Sequence, residues 1–487
     1  MKWLRVLLPV AVIAVAAVVY LIMSTPPEVV EERFEPRASH ANYREGMQRL
    51  GLEETYLART WLRAADAAEN DPSAAALPFS ETLYFDPQDP HAVGYWFPVT
   101  RGRRIVIEFD APHRYYFADV FRLEDGEELA LDELVASRPP DGNTIRFEAR
   151  SNGFYLLRLQ PELLRGGRFQ VTITESASLA FPVEGATPED IWSFFGDGRD
   201  GGSRVHHGVD IFAPRGTPVL AASDSEVMRV GERALGGKVV TLYDEARGIM
   251  LYYAHLDEQL TTRGSRVRAG EVIGTVGNTG NAITTPPHLH IGIYQESWRR
   301  PVDPWAYFVD PPITTAGPTD PRGEELLAAW SHSEPEIELL NRIGSPRPPD
   351  PRRNRNPFLR GAGDTFAGAE TEPELDLRPP LPSAASIAAG TPLRVTGVSG
   401  DRLRVRTING ANGFLPVETI PQNSEATTVD QSVLLRDIHT GDAFGVLEAG
   451  TTIIPITRFD GNEVVRLSSG RVAVIRQEEE SAPEEPR

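Results

Sequence analysis

Histidine and aspartate side chains cluster in the middle of the sequence in a pattern that could bind a metal ion. The chain has 487 residues and only 10 histidines, yet half of the histidines lie between residues 206 and 290. Zinc is usually bound by imidazole, carboxylate or thiolate groups, and the chain contains no cysteine. A zinc site would therefore draw on three short motifs, which contain His206 and Asp210, then His255, then His288 and His290.

The first motif is predicted to be a loop that leads into a strand. His206 and Asp210 are four residues apart, which on a helix would place them on one face. Gly208, Val209 and the later Pro214 disfavour a helix. The pair can still converge on a metal, but it differs from the helical His-Glu-x-x-His zinc motif.

The other two motifs are predicted to lie on strands. In a strand, His288 and His290 project from one face while Leu289 and Ile291 project from the other. His255 follows another strand-like run. Each of these histidines, taken singly, is more often structural than functional, so spacing alone supports no more than a plausible cluster.

Four motifs in chain order carry a family resemblance. They are His-x-Gly-Val-Asp-Ile-Phe-Ala-Pro-Arg-Gly-Thr-Pro-Val at 206–219, Tyr-Ala-His-Leu at 253–256, Gly-Asn-Thr-Gly at 277–280 and His-Leu-His at 288–290. Over residues 195–305 this set resembles the lysostaphin-type, or LytM-domain, peptidoglycan metalloendopeptidases.

The resemblance implies that His206, Asp210 and His290 bind zinc and that His255 and His288 act beside it. Two imidazoles and one carboxylate leave a coordination position open for water, as in catalytic sites. Zinc would lower the pKa of that water towards about 7. His255 and His288 could then take the water proton, stabilise the oxyanion and protonate the leaving amine, and the sequence leaves open which is the base.

Two features depart from the family pattern or could mislead. His207 occupies the variable position of the first motif and is predicted to face away from the site. Pro286 and Pro287 stand where the family usually has a nearby glycine, and Ile291 replaces a common phenylalanine. These departures remove no ligand.

The sequence pattern along the rest of the chain predicts the elements that position these motifs, and it indicates a mainly β multidomain protein. A β-rich LytM-type catalytic domain is preceded by a transmembrane helix, a helical stalk and a β-sandwich, and is followed by two small β barrels. The predicted ranges are 1–24 for a cytoplasmic tip and transmembrane anchor, 25–78 for a linker and helical stalk, 79–176 for the β-sandwich accessory domain, 177–311 for the metallopeptidase domain, 312–383 for a Pro/Arg-rich linker, 384–422 and 427–477 for Src-homology-3-like modules, and 478–487 for an acidic tail.

Patterning supports these ranges. Alternating apolar residues such as Ile105, Ile107 and Phe109 predict antiparallel strands. Within the predicted linker, one short helix is expected from Glu324 to Trp330.

The C-terminal modules are predicted from an internal repeat. The triplet Ala389-Gly390-Thr391 recurs 60 residues later as Ala449-Gly450-Thr451. On this pattern Leu403 and Val405 would correspond to Val464 and Val465. Both modules resemble bacterial Src-homology-3-like domains, although a packing or spacer role is the alternative.

The N-terminal sequence predicts the cellular compartment of the protein. Lys2 and Arg5 precede an uncharged apolar run, Val6 to Met23, that is near the minimum length for a bilayer-spanning helix. We expect an uncleaved anchor in the inner membrane rather than a cleaved signal peptide, with the catalytic part in the periplasm.

Charge and motifs together restrict the partners. A net charge of -20 argues against nucleic acid as a partner, because phosphate binding needs a basic surface. The expected partners are peptidoglycan, the inner membrane through the N-terminal helix, and other cell-wall or division proteins. Two alternative functions stay open, namely a catalytically silent LytM-domain regulator of wall amidases and a wall-binding tether.

Overall fold

The computed structural model describes residues 39–123, 131–199, 203–295, 298–311, 320–343, 385–421, 425–438 and 441–476. The predicted membrane anchor, most of the predicted linker and the acidic tail lie outside these ranges. Among the described residues, no helix is both long enough and apolar enough to cross a bilayer. The chain divides into two compact units, residues 1–59 and 60–487.

Helices account for the described residues before the first strand. Helix α1 (His40–Arg49) begins at Ser39, whose hydroxyl accepts a hydrogen bond from the Asn42 amide at 3.2 Å. A 3-10 turn at Leu52–Glu54 separates it from α2 (Tyr56–Asn70), which extends into the second unit. The predicted helical stretch therefore contains two helices with a break after α1.

Two β-sheets enclose an apolar core in the region that follows. The strands are β1 (Ser73–Ala75), β2 (Phe79–Phe85), β3 (Val93–Val99), β4 (Arg103–Asp110), β5 (Tyr116–Leu123), β6 (Leu131–Ser137), β7 (Thr144–Glu148), β8 (Gly153–Pro161) and β9 (Gly167–Ala177). One sheet has the order β1-β3-β8-β5-β6, and the other contains β2-β9-β4-β7. The alternating residues used for the prediction, such as Ile105, Ile107 and Phe109, are all buried in this core. Neighbouring strands are antiparallel except β1 and β3, which are parallel.

The region that contains the histidine motifs forms a second β structure. Its elements are β10 (Ile191–Ser193), β11 (Gly198–Arg199), β12 (Arg204–Val205), β13 (Val209–Phe212), β14 (Pro218–Leu220), β15 (Ser225–Arg233), β16 (Gly237–Asp244), β17 (Ile249–Leu256), β18 (Arg266–Val267), β19 (Val272–Thr275), β20 (His288–Gln295), β21 (Arg300–Val302) and α3 (Trp305–Phe308). The main sheet has the order β10-β13-β20-β17-β16-β15-β18, and its apolar side chains form a core of their own.

Polar contacts join this second structure to the sandwich. Both guanidinium nitrogens of Arg247 that face Glu148 lie 2.8 Å from its carboxylate oxygens, which is a two-point ion pair. The backbone amide of Ala177 donates to a carboxylate oxygen of Asp310 at 2.7 Å. The site-bearing domain is thus attached to the sandwich by specific contacts in addition to the connecting chain.

The C-terminal elements continue the sandwich. They are α4 (Pro321–Leu326), β22 (Trp330–His332), β23 (Ile337–Leu339), β24 (Arg342–Ile343), β25 (Ala385–Ile387), β26 (Pro392–Ser399), β27 (Arg402–Thr407) and β28 (Asn412–Pro416). Strand β26 pairs with β2, so β26, β27 and β28 extend one sheet of the sandwich, and β24 extends the other by pairing with β1. The structure therefore differs from the predicted organisation, in which residues 384–422 were a separate module and residues 312–383 a linker.

The helix predicted from Glu324 to Trp330 is wrong in its bounds. It begins at Pro321, where the Asp320 side chain accepts from the Arg322 amide, and it ends at Leu326. Trp330 instead starts a strand that pairs with Arg394 in β26. Tertiary strand pairing overrides the local helical pattern here.

The internal repeat is present as a repeat of strands. The C-terminal region, which contains the second copy, has the strands β29 (Thr427–Thr428), β30 (Val433–Asp437), β31 (Ala443–Leu447), β32 (Thr452–Phe459), β33 (Asn462–Leu467) and β34 (Val472–Arg476). Strands β26, β27 and β28 each begin 60 residues before β32, β33 and β34. The likeness of these units to Src-homology-3-like domains stays a prediction.

The predicted residue matching within the repeat is wrong at one position. Val405 does match Val465, but Val464 is equivalent to Arg404, not to Leu403. Both copies contain the same β-bulge, after Val395 and after Pro455, so the registers stay aligned. The side chain of Val464 packs in an apolar cluster, whereas Arg404 enters the sandwich.

Arg404 forms a buried polar network between the first copy of the repeat and the sandwich. Its guanidinium donates to both carboxylate oxygens of Glu81, at 2.8 and 3.0 Å, and to the Ser73 hydroxyl at 2.9 Å. The Tyr95 hydroxyl donates to the same carboxylate at 2.5 Å. All four residues are buried, so each charge depends on the other for compensation.

Replacing Arg404 should therefore destabilise the sandwich even though it lies over 300 residues from Glu81 in sequence. We expect Arg404→Met to lower the free energy of unfolding by about 3 to 5 kcal/mol, because it leaves a buried carboxylate without its cation. The measurement is urea denaturation followed by tryptophan fluorescence. The control is Arg114→Met, which breaks an exposed pair with Asp141 and should cost less than about 1 kcal/mol. Equal losses in the two variants would contradict this account.

Candidate metal centre

Two neighbouring antiparallel strands bring the first and last histidine motifs together. Asp210 in β13 lies directly opposite His290 in β20, and Phe212 lies opposite His288. Their neighbours Ile211 and Leu289 point to the other face of the sheet and are fully buried in the apolar core. The alternation of a strand thus places the polar side chains on one face, as the sequence predicted.

Three candidate ligand atoms converge at this face. The His206 Nε2 atom lies 3.0 Å from Asp210 Oδ1 and 2.9 Å from His290 Nδ1, and the last two atoms are 2.9 Å apart. In a tetrahedral zinc site with bonds of about 2.0 to 2.1 Å, ligand atoms lie about 3.3 Å from one another. The three atoms need to separate by only a few tenths of an ångström to meet that spacing.

The protonation pattern of His206 also fits a cation. Its Nδ1 atom lies 2.8 Å from the Phe194 carbonyl oxygen, and because a carbonyl can only accept, Nδ1 carries the proton. The lone pair of Nε2 is then directed at Asp210 and His290. His206 Nε2 and Asp210 Oδ1 are both electron-rich and lie 3.0 Å apart, so they repel one another unless a cation or a proton lies between them. Together with His290 Nδ1 they are a donor set expected for zinc.

Electrostatics keep these groups in the states that metal binding requires. Burial by itself raises the pKa of the Asp210 carboxyl, but contacts with His206 and His290 lower that pKa well below its ordinary value. Burial lowers the pKa of His290 and outweighs the opposing effect of Asp210. An ionised carboxylate and a neutral imidazole are the forms that bind metal.

His255 and His288 lie beside the cluster. Their ring centroids are 5.1 Å apart, and the His255 ring is 5.9 Å from that of His290. Each Nδ1 atom faces a backbone carbonyl, that of Thr279 at 2.8 Å for His255 and that of Pro286 at 2.9 Å for His288. Both therefore keep Nε2 free to accept a proton.

His255 has an unusual backbone conformation for a non-glycine residue, with φ of 63° at the end of β17. Its amide donates to the Gly236 carbonyl at 2.8 Å, and its side chain is anchored by Thr279. The strained conformation is held by these contacts and aims the ring at the cluster, a situation common at functional sites.

The structure brings together His206, Asp210 and His290, with His255 and His288 beside them, and leaves His207 outside. The His207 ring lies near Phe195, with 6.4 Å between centroids. The individual chemical roles of these residues stay predictions.

Sequence reasoning did not single out two residues of the site. Gly208 is needed because a Cβ atom there would lie 2.4 Å from the Ile291 carbonyl oxygen and 2.8 Å from the His290 ring. Arg199 donates a hydrogen bond of 2.6 Å to Asp210 Oδ2. Gly208 is part of the first motif, so its importance could have been inferred there. Nothing in the sequence around Arg199 indicates that it contacts the site.

Aromatic rings flank the cluster on two sides. Trp192 stacks on Phe212 with 4.7 Å between centroids, and Phe212 stacks on His288 with 4.9 Å. On the other side Tyr252 lies 6.1 Å from His290 and 5.7 Å from Trp298. The two tryptophans are 65% and 40% exposed, so both present apolar surface to solvent next to the cluster.

A family comparison agrees with this geometry. Residues 204–304 match the model of peptidase family M23, a segment that includes all five predicted site residues. The chain contains a peptidase family M23 domain. The match covers about a fifth of the chain's length, and the rest of the protein lies outside it.

Individual relatives are similar over this domain. The L-Ala–D-Glu endopeptidase of Bacillus subtilis is 37% identical over 128 residues, which are 25% of this chain and 39% of that protein. The peptidoglycan DD-endopeptidase ShyC of Vibrio cholerae is 38% identical over 87 residues, 18% of this chain and 19% of that protein. The chain thus spans well under half the length of these relatives.

Among solved structures, the catalytic domain of lysostaphin from Staphylococcus simulans is 31% identical, covering 24% of this chain and 87% of that domain, with a TM-score of 0.21. By their names, the V. cholerae relative is a peptidoglycan endopeptidase and the B. subtilis relative is an L-Ala–D-Glu endopeptidase.

The protonation state of His255 can be tested directly. Burial, reinforced by the nearby His290, lowers its pKa to about 4. A lowered pKa means that protonation begins only as the pH falls towards 4, so the imidazole should be neutral from pH 5 to 8. We expect ¹⁵N NMR of the imidazole to show a neutral ring with the proton on Nδ1 throughout this range. A midpoint near 6.5, the ordinary histidine value, would contradict the predicted environment.

Proposed function

We propose that this protein is a zinc-dependent endopeptidase that hydrolyses peptide cross-links or stem peptides of bacterial peptidoglycan. The observation that carries the proposal is the convergence of His206 Nε2, Asp210 Oδ1 and His290 Nδ1 within 3.0 Å of one another. Two further imidazoles with free Nε2 atoms lie beside them. The activities named for the relatives support the substrate class.

His206, Asp210 and His290 would hold the zinc ion. When bound, zinc supplies a Lewis acid that activates water and polarises the scissile carbonyl. The His255 and His288 rings would accept a proton from water at Nε2 and return it to the leaving amine. Their Nδ1 protons are held by Thr279 and Pro286, so the rings stay oriented towards the site during this exchange.

The proposed location follows from the N-terminal sequence. The apolar run Val6 to Met23, preceded by Lys2 and Arg5, supports an anchor in the inner membrane with the catalytic part in the periplasm. Peptidoglycan lies in that compartment, so the proposed location and substrate agree.

The proposal predicts that zinc and the three ligands are each required for cleavage. We expect the full chain to bind about one zinc ion and to release fragments from defined muropeptides, as detected by mass spectrometry. His206→Ala and His290→Ala should each abolish zinc binding and reduce cleavage at least about 1,000-fold, because removing a ligand removes the metal that activates the water. His207→Ala is the matched control and should retain both properties.

Other outcomes would favour other functions. A wild-type protein that binds zinc but cleaves no muropeptide would favour the regulator of wall amidases, and that regulator would keep its cellular function in the His206→Ala variant. Binding to intact peptidoglycan without zinc or cleavage would favour a tether.

The exposed Trp192 ring predicts a contribution to substrate binding. It ends the aromatic stack that runs through Phe212 to His288, and it offers a flat apolar surface at the site. Trp192→Ala should raise KM about threefold to tenfold and change kcat less than about twofold, because the lost contact is present in both the bound substrate and the transition state.

Trp192→Phe should keep most of this binding, since it retains a ring that can stack on Phe212. Tyr115→Ala, which removes an exposed aromatic ring of the sandwich, is the control and should leave KM unchanged. A fall in kcat without a change in KM would instead assign Trp192 to the positioning of His288.

A further inference from the structure

Asp210 divides its two carboxylate oxygens between different partners. Oδ1 faces His206 Nε2 and His290 Nδ1, whereas Oδ2 accepts a hydrogen bond of 2.6 Å from Arg199 Nη2. Asp210 is only 6% exposed, and the Arg199 side chain is about one-third exposed, so the guanidinium reaches from the surface to a buried carboxylate. Only Oδ1 remains directed at the other two candidate ligands.

The same guanidinium nitrogen also contacts Ser193, the last residue of β10. Arg199 Nη2 carries two N–H groups, and it donates to the Ser193 hydroxyl as well as to Asp210. The Ser193 hydroxyl lies 3.3 Å from both the Asp197 carboxylate and His206 Nδ1. Arg199 is thus hydrogen-bonded to Asp210 directly and, through the Ser193 hydroxyl, to a group that contacts His206.

The positive charge of Arg199, considered alone, would weaken metal binding. A guanidinium cation close to the site repels a divalent cation, so a purely electrostatic role would weaken zinc binding. Its hydrogen bond has a different consequence. It prevents rotation of the Asp210 carboxylate and presents Oδ1 in the position that the two imidazoles require, which reduces the ordering cost of binding.

We propose that Arg199 is a positioning residue that holds Asp210 with Oδ1 directed at the metal and thereby raises the affinity of the site for zinc. This inference rests on the proposed function, since it presumes that His206, Asp210 and His290 bind zinc. It assigns to Arg199 no contact with substrate. Hydrogen-bonding partners of ligating carboxylates typically contribute a factor of about 10 to 100 in metal affinity.

The test is the zinc dissociation constant of the full chain, measured by competition with a chromogenic chelator. Arg199→Gln should raise that constant about 10-fold to 100-fold. Arg199→Lys keeps the charge and one donor and should recover part of the loss. Arg266→Gln is the control, because it removes an exposed arginine of β18, at the opposite edge of the same sheet from β13, and should bind zinc like the wild type.

A second measurement separates positioning from a general structural role. Urea unfolding of the metal-free proteins reports whether Arg199→Gln weakens the fold itself. If the variant is less stable without metal but its folded form binds zinc with wild-type affinity, Arg199 only stabilises the fold and the inference is overturned. Tighter zinc binding by Arg199→Gln would show that charge repulsion dominates, and this outcome also overturns it.

Failure of the proposed function gives a different result. If the wild-type chain binds no zinc, the proposed function fails and the role of Arg199 fails with it. If the wild type binds zinc and cleaves muropeptides while Arg199→Gln binds zinc equally well, the proposed function stands and only the inference about Arg199 is overturned.

Discussion

A buried carboxylate surrounded by imidazoles is the constraint on which the site depends. Asp210 is kept ionised in an environment that by burial alone would favour its neutral form. Its oxygen lies within 3.0 Å of two nitrogen atoms, one of which bears a lone pair because its ring donates its proton elsewhere. Such an arrangement is unfavourable without a positive charge, and the surrounding contacts hold it in place. Strand pairing between β13 and β20, the close approach at Gly208 and the Phe194 carbonyl each contribute one part of that geometry.

The first copy of the C-terminal repeat is connected to the site-bearing domain through the sandwich. The sandwich contacts the peptidase domain through Glu148 and Arg247, and it receives β26 of the C-terminal repeat along the edge of β2. The two copies of that repeat differ at many positions, and one of these differences bears on this contact. Arg404 in the first copy pairs with a buried carboxylate of the sandwich, while Val464 in the second packs in an apolar cluster. At this position the first copy is joined to the sandwich by an ion pair, whereas the second copy contributes an apolar side chain to a cluster.

Local sequence patterns predicted the strands well where burial alternates. Ile105, Ile107 and Phe109 show this in the sandwich, and Leu289 with His290 shows it at the site, because a two-residue period leaves little choice of face. The predicted linker failed between residues 320 and 343 for the opposite reason. Its short strands have no strong pattern and exist because they pair with β1, β25 and β26, which are distant in sequence. The repeat matching failed at Val464 because Leu403 and Val405 are two residues apart whereas Val464 and Val465 are adjacent and both buried, so one offset cannot relate the two pairs.

The sequence by itself determined which residue types can bind a metal here, since without cysteine only histidine and carboxylate remain, and their motifs pointed to the five candidates. The family resemblance also predicted that His207 faces away from the site. Only the tertiary structure decided which nitrogen of each ring faces the cluster, that Arg199 holds the second oxygen of Asp210, and that Arg404 joins the repeat to the sandwich. Each of these contacts joins residues on different elements that only the fold brings together. A local sequence pattern therefore cannot predict them.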